Sequence, residues 1–244
     1  VVKFIYNNVD LILAQSKSIK LEIEKITNTK CIYFPSWPEE EVSNSNVDTN
    51  IDLKIKNKTK TTIMFAGNIG EAQSFDTLIE AAKILKKFDS IEWIILGDGR
   101  WKKKLINLIE KNNLKEEVKI IDAVPPSKVK YFLDQSDALY LSLKNNENFK
   151  KTIPGKLSTY MFSEKPIIAS ISGETNKIIN EANCGFASEA ENYYSLADNI
   201  IKFEQLPEEE KKKLGMNAKK YVSKFFEKKK ILNNLEEEIK NLIY

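Results

Sequence analysis

The chain has 244 residues, 42% of them hydrophobic and 30% charged, which is enough apolar material for a packed core and argues against disorder. Its 38 Lys and Arg nearly balance 35 Asp and Glu, and Arg100 is the sole arginine, so a basic face built for nucleic acid is not indicated. With no histidine there is no Ser-His-Asp triad, no imidazole acid-base step and no histidine metal site, which leaves carboxylates, lysines, hydroxyls and backbone dipoles for any catalysis.

Val1 to Asn8 enters directly into an apolar pattern, so the chain reads as the later part of something longer. Strands are expected at Asp10–Ala14 and Cys31–Phe34, with a helix between them, a unit too small to fold alone. Pro38 to Lys60 breaks the rhythm with Ser-Asn-Ser-Asn and alternating charge, and reads as an interdomain connection. Further strands are expected at Thr62–Ala66, Ile91–Leu96, Val118–Ile121, Ala138–Leu143 and Pro166–Ala169. They are short, rich in Ile and Val, and separated by helical patterns, which is the signature of a doubly wound parallel α/β sheet. The helix from Ser74 to Phe88, with Ser74 as its N-cap, places Phe75, Leu78, Ile79, Ala82 and Leu85 on one stripe. From Pro207 the chain is helical, with Leu214, Ala218, Tyr221 and Phe225 in step, then Ile231, Leu235, Ile239 and Leu242 in a last helix. The Lys228–Lys230 triplet reads as a solvated face in preference to a contact with an anionic membrane. Cys31 and Cys184 read as reduced and buried. No apolar run reaches the roughly 18 residues of a spanning helix and no signal peptide is visible, so the expected location is cytoplasmic. The expected divisions are 1–38, 39–60, 61–226 and 227–244.

Several strand-to-helix turns carry residues suited to an anion. After the strand ending at Ala66 come Gly67, Asn68, Ile69 and Gly70, then Gln73, where backbone amides can point at a phosphate. The same pattern is what any doubly wound fold uses to turn a corner. In Thr152-Ile153-Pro154-Gly155-Lys156, Pro154 suits a first helical turn and Gly155 admits close approach. Lys156 then opposes the helix dipole unless an anion lies between them. Gly97-Asp98-Gly99-Arg100, Val124-Pro125-Pro126-Ser127 and Ser172-Gly173-Glu174 are turns after strands and share the same rim, since parallel strands end on one side. Five such turns on one rim indicate a ligand crevice.

Together these residues resemble the C-terminal, donor-binding domain of the family-4 glycosyltransferases of GT-B fold, two Rossmann-like domains facing across a cleft. The nearest similarity is to bacterial enzymes that transfer sugars such as N-acetylfucosamine in O-antigen and capsule assembly. The resemblance spans Ile63 to about Phe226, in Phe-Ala-Gly-Asn-Ile-Gly-x-Ala-Gln at 65–73, Thr-Ile-Pro-Gly-Lys-Leu at 152–157, Tyr160-Met161, Lys165-Pro166-Ile167-Ile168, Gly173-Glu174 and Ala182-Asn183-Cys184-Gly185. The wider family carries an arginine and a lysine for the diphosphate where this chain has Asn68 and Gln73. Its two glutamates, one near the sugar and one on the ribose, fall near Lys151 and on Thr159; Glu147 is a displaced substitute for the first.

The resemblance implies residues 1–38 as the remnant of an N-terminal acceptor domain, 39–60 as the linker, 61–226 as the donor-binding domain and 227–244 as a C-terminal helix. It implies a retaining, metal-independent hexosyltransferase without cofactor. Its donor is a nucleotide-diphosphate sugar, with a UDP-sugar favoured, and its acceptor a glycan or lipid-linked sugar at the inner face of a membrane. The base lies against Val124 and Pro125, the ribose near Thr159, and the diphosphate against the amides of Gly67–Gly70, the helix starting near Pro154 and Gly155, and Lys156. Gly97, Arg100 and Glu174 complete the expected site. An isolated fragment without the acceptor domain is expected to be inactive. The competing readings are a nucleotide-sugar epimerase of the same fold, disfavoured by the missing histidine, and a non-catalytic nucleotide-binding fragment.

Overall fold

The computed structural model describes residues 1–39 and 59–243. Helix α1 (Val2–Tyr6) leads into strand β1 (Ile12–Ala14), helix α2 (Lys17–Glu24) and strand β2 (Cys31–Tyr33). The two strands pair in parallel, Ile12 opposite Cys31 and Ala14 opposite Tyr33. Ser16 caps α2 by accepting from the Ile19 amide at 3.0 Å, which lets the helix start directly after the strand. The connection expected at 39–60 lies outside the described residues except at its ends.

From Thr61 strands and helices alternate, as the Ile- and Val-rich runs require. They are β3 (Thr61–Ala66), α3 (Phe75–Leu85), β4 (Ile91–Leu96), α4 (Lys102–Lys111), β5 (Val118–Ile121), α5 (Pro126–Gln135) and β6 (Ala138–Ser142). There follow α6 (Glu147–Lys151), α7 (Lys156–Phe162), β7 (Ile167–Ser170), α8 (Glu174–Ala182), β8 (Gly185–Ser188), α9 (Tyr193–Glu204), α10 (Glu208–Phe225) and α11 (Lys228–Ile243). The strands β3 to β8 form one parallel sheet in the order β5-β4-β3-β6-β7-β8. The chain winds outward from β3 to β5, then returns to the other side of β3, which makes the β3–β6 junction the switch point.

Strand residues alternate between two core layers. Ile63 and Phe65 pack with α3, α4 and α9; Met64 and Ala66 pack with α5, α7, α8 and α10. The fold is therefore the doubly wound parallel α/β sheet that the sequence implies. The stripe Phe75, Leu78, Ile79, Ala82 and Leu85 is buried as expected. Cys31 and Cys184 are free and buried. Among the described residues no helix is long and apolar enough to cross a membrane.

The structure differs from the sequence reading at several points, among them Phe225, which is exposed where the helical stripe implied burial. Strand β8 was not expected. Ser74 is the N-cap of α3 as expected, but its side chain makes no capping bond: its backbone is left-handed (φ 47°), and its hydroxyl meets Thr77 Oγ1 at 3.0 Å. The helix also ends at Leu85 and continues only as a 3₁₀ turn over Lys86–Phe88. On α11, Ile231 is buried, whereas Ile239 and Leu242 are exposed.

Candidate functional site

At the C-terminal rim of the sheet a cleft of ≈ 460 Å³ opens against the switch point. The segment after β3 contributes Ala66, Gly67 and Asn68, and the segment after β4 contributes Leu96, Gly97 and Asp98. Val124, Pro126, Val129 and Leu133 form an apolar wall, facing Lys156, Thr159 and Tyr160 of α7. Glu39 also lines the cleft.

The first two turns are packed too tightly for side chains. Gly97 has φ +155°, and a Cβ there would collide with the Gly67 carbonyl oxygen. Gly67 has φ +136°, a conformation that L side chains rarely adopt, and a Cβ there would stand 3.0 Å from Lys156 Nζ. Lys156 is the first residue of α7, with Gly155 in the capping position and open space above it. Its amine lies 3.8 Å from the centroid of the Phe65 ring, is buried, and has no hydrogen-bond partner among the described residues. Phe65 belongs to the opposite core layer, so the lysine reaches across the end of the sheet to get there. Burial pulls the amine down to about 7 from the ordinary lysine value. Thr159 Oγ1 accepts from the Glu39 amide at 3.3 Å. The Tyr160 hydroxyl is paired twice with Ala66.

Of the residues expected from sequence, Gly67, Asn68, Gly97, Val124, Lys156 and Thr159 line this one cleft. The expected cradle of amides at Gly67–Gly70 is largely committed elsewhere, which corrects that part of the sequence reading. The Gly67 amide donates to Leu96 O at 2.9 Å, Ile69 to Asp98 O at 2.7 Å, and Gly70 to Gln73 Oε1 at 3.1 Å. These bonds staple the loop after β3 to the loop after β4, and they turn Gln73 back on its own segment. Pro125 and Pro154 set the starts of α5 and α7 without lining the cleft. Arg100 is exposed and lies outside it.

The two carboxylates are also placed elsewhere. Glu147 is exposed on α6 and pairs with Lys150 at 2.6 Å, which holds its carboxyl below the usual range. Glu174 accepts from the backbone amides of Lys17 at 2.8 Å and Ser18 at 2.6 Å, so it serves the N-terminus of α2 and lines a second groove. Sequence reasoning missed Tyr160, Val129 and Leu133 as cleft residues. Each sits at an apolar helical position that reads equally well as core.

A doubly wound parallel sheet with its cleft at the switch point, outside the carboxyl ends of the strands, is the arrangement in which open α/β sheets take their ligands. Residues 47–221 match the family Glycosyl transferases group 1, and the chain belongs to that family. A glycosyltransferase of Methanocaldococcus jannaschii is 25% identical over 223 residues, 91% of this chain and 57% of the relative. The Escherichia coli protein WcaL, named for colanic acid biosynthesis, is 25% identical over 179 residues, 72% of this chain and 44% of WcaL. The chain thus spans about half the length of the curated relatives it matches. Among solved structures, a Rickettsia africae glycosyltransferase superposes with TM-score 0.77 at 19% identity, covering 99% of this chain and 66% of that one. A variant of S. aureus TarM, solved with UDP, superposes with TM-score 0.74 at 18% identity, covering 99% and 46%. At these identities the likeness is one of fold, that of the GT-B glycosyltransferases.

Proposed function

We propose that this chain is the donor-binding part of a retaining, metal-independent hexosyltransferase. Its donor is a nucleotide-diphosphate sugar, UDP-linked, and its acceptor is a glycan or lipid-linked sugar of surface polysaccharide assembly. Residues 61–226 bind the donor, 1–38 belong to the acceptor side, 39–60 connect them, and 227–244 form the closing helix. Family membership supports transfer, TarM and pneumococcal GtfA solved with UDP support the donor, and WcaL supports the pathway class. A lipid-linked acceptor places the enzyme at the cytoplasmic face of the membrane, as a peripheral protein.

The observation that carries this reading is the Lys156 amine, buried without a hydrogen-bond partner in the lining of the switch-point crevice. An unpaired buried cation is costly unless a ligand anion completes it. In the proposed site the diphosphate lies against Lys156 and the open space over Gly155, the base against Val124, Val129 and Leu133, and the ribose near Thr159. As the glycosidic bond breaks, negative charge grows on the leaving diphosphate, and an amine placed in advance stabilises that charge more than the ground state. Removing one such group raises a barrier by roughly 3–4 kcal/mol.

Calorimetry with UDP, GDP and ADP tests the assignment. UDP is expected to bind best, and Lys156→Ala to weaken it by about tenfold or more. Unchanged affinity in Lys156→Ala removes the lysine from the site. The chain alone is expected to bind donor without transferring it.

A further inference from the structure

Strand β3 pairs with β4 along its whole length, from Thr61 opposite Ile91 to Ala66 opposite Leu96. With β6 it pairs only at Ile63–Ala138 and Met64–Leu139, while β6 stays with β7 as far as Ser142–Ser170. The two central strands therefore part before β3 ends. Along a parallel strand, successive residues turn their N–H and C=O to opposite neighbours. Gly67 donates to Leu96 on the β4 side, so the N–H and C=O of Ala66 face the gap. Left unmet in a buried residue, both would be destabilising.

One hydroxyl meets both. The Ala66 amide donates to Tyr160 Oη at 2.7 Å, and the Tyr160 hydroxyl donates to the Ala66 carbonyl at 3.0 Å. Tyr160 is 2% exposed and lies one helical turn after Lys156 on the same face of α7. Its neighbours in the chain matter as much as Ala66 itself. The Lys156 amine stands over the Phe65 ring and beside Gly67, so three consecutive residues of β3 and its exit are gripped by amine, hydroxyl and amine of one helix.

We propose that Tyr160 is a positioning residue for donor binding: its hydroxyl stands in for the missing β6 backbone, locks the end of β3 to α7, and so fixes the Lys156 amine over the anion site. The assignment rests on the donor reading above. Without the hydroxyl, α7 and the end of β3 are free to shift against each other, and the amine loses its fixed station beside Gly67.

The test compares UDP with uridine, which lacks the diphosphate and so reports the cleft without the amine. In Tyr160→Phe, UDP affinity is expected to fall by about fivefold or more, with uridine affinity held within about twofold. An equal fall for both ligands, or none for UDP, overturns the proposal and leaves the donor reading standing. In a double-mutant cycle, Lys156→Gln is expected to cost less UDP affinity in the Tyr160→Phe background than in the wild type; strict additivity overturns the coupling. Should the variant fail to fold, amide exchange followed by NMR in the wild-type chain decides. The Ala66 amide is expected to exchange as slowly as that of Met64, and exchange at the rate of an open amide overturns the clamp. Absence of UDP binding by the wild-type chain overturns the donor reading and this proposal with it.

Discussion

In the proposed donor site, Lys156 gives up stability for a place to hold an anion. Burial alone lowers its amine to about 7, with no charged group contributing; Asp98 and Glu39 line the same cleft, and the Tyr160 hydroxyl is occupied by Ala66. An unfolded lysine keeps its proton to about 10.4. Between those values the unfolded state binds more protons than the folded one, so this residue makes stability rise with pH from about 7 towards 10. Replacing it with a chain of similar volume and no charge removes the cost. Lys156→Met is expected to raise the thermal midpoint at pH 6 and to lose most of that advantage by pH 10, as thermal melts at the two values will read. A midpoint gain independent of pH would mean that the amine is not desolvated. Binding has the opposite sense. A diphosphate requires the ammonium form, and the last phosphate proton is already gone above about 6. UDP affinity is therefore expected to fall by up to about tenfold for each pH unit above 7. In Lys156→Gln the profile should be flat.

At the scale of elements, three segments meet just before α7. Gln15 Nε2 donates to Ile153 O, Ser16 Oγ donates to Lys151 O, and Thr175 Oγ1 donates to Thr152 O at 3.0 Å. Glu174 completes the junction by holding the first amides of α2. Glu174→Ala is expected to cost about 1–2 kcal/mol, as loss of a helix cap does, and to speed exchange at the Lys17 and Ser18 amides while Met64 stays protected. Unchanged exchange at Lys17 and Ser18 would show that the carboxylate does not hold α2. The junction also shows what a sequence can and cannot disclose. Strands such as Ile-Glu-Trp-Ile-Ile-Leu at 91–96 are buried on both faces and announce themselves by composition. Gly-Phe-Ala-Ser at 185–188 has one large apolar side chain, and its strand exists because the edge of β7 was there to pair with. The glycine turns mark the rim correctly, but the Gly67 amide is claimed by Leu96 at the end of β4 and the Gly97 amide by Ile121 at the end of β5, which no local pattern records. The same holds for Glu174: its place after a strand-end glycine suggested the rim, whereas contacts more than a hundred residues away in sequence direct it to α2.

At the scale of the whole molecule, the two large core layers draw their buried residues from between Ile63 and Phe226, with Tyr33 as a marginal contributor to one of them. The unit before them has a core of Ile12, Ala14, Ile23 and Cys31, flanked by Tyr6 and Ile19. Below about 40 residues a chain with no disulfide or metal rarely buries enough surface to fold, and Cys31 is free. The small unit is joined to the large one by hydrogen bonds from Gln15 and Ser16 and by Glu174, which accepts from the first amides of α2. A chain of residues 59–227 is expected to melt cooperatively by circular dichroism, and a peptide of residues 1–38 to show no ordered signal. The shorter chain also lacks the Glu39 amide that Thr159 accepts from. If the anion site is built by the sheet and α7 alone, UDP affinity in the shorter chain stays within about tenfold of the full chain; a larger loss would move part of the site onto the segment that leaves the small unit.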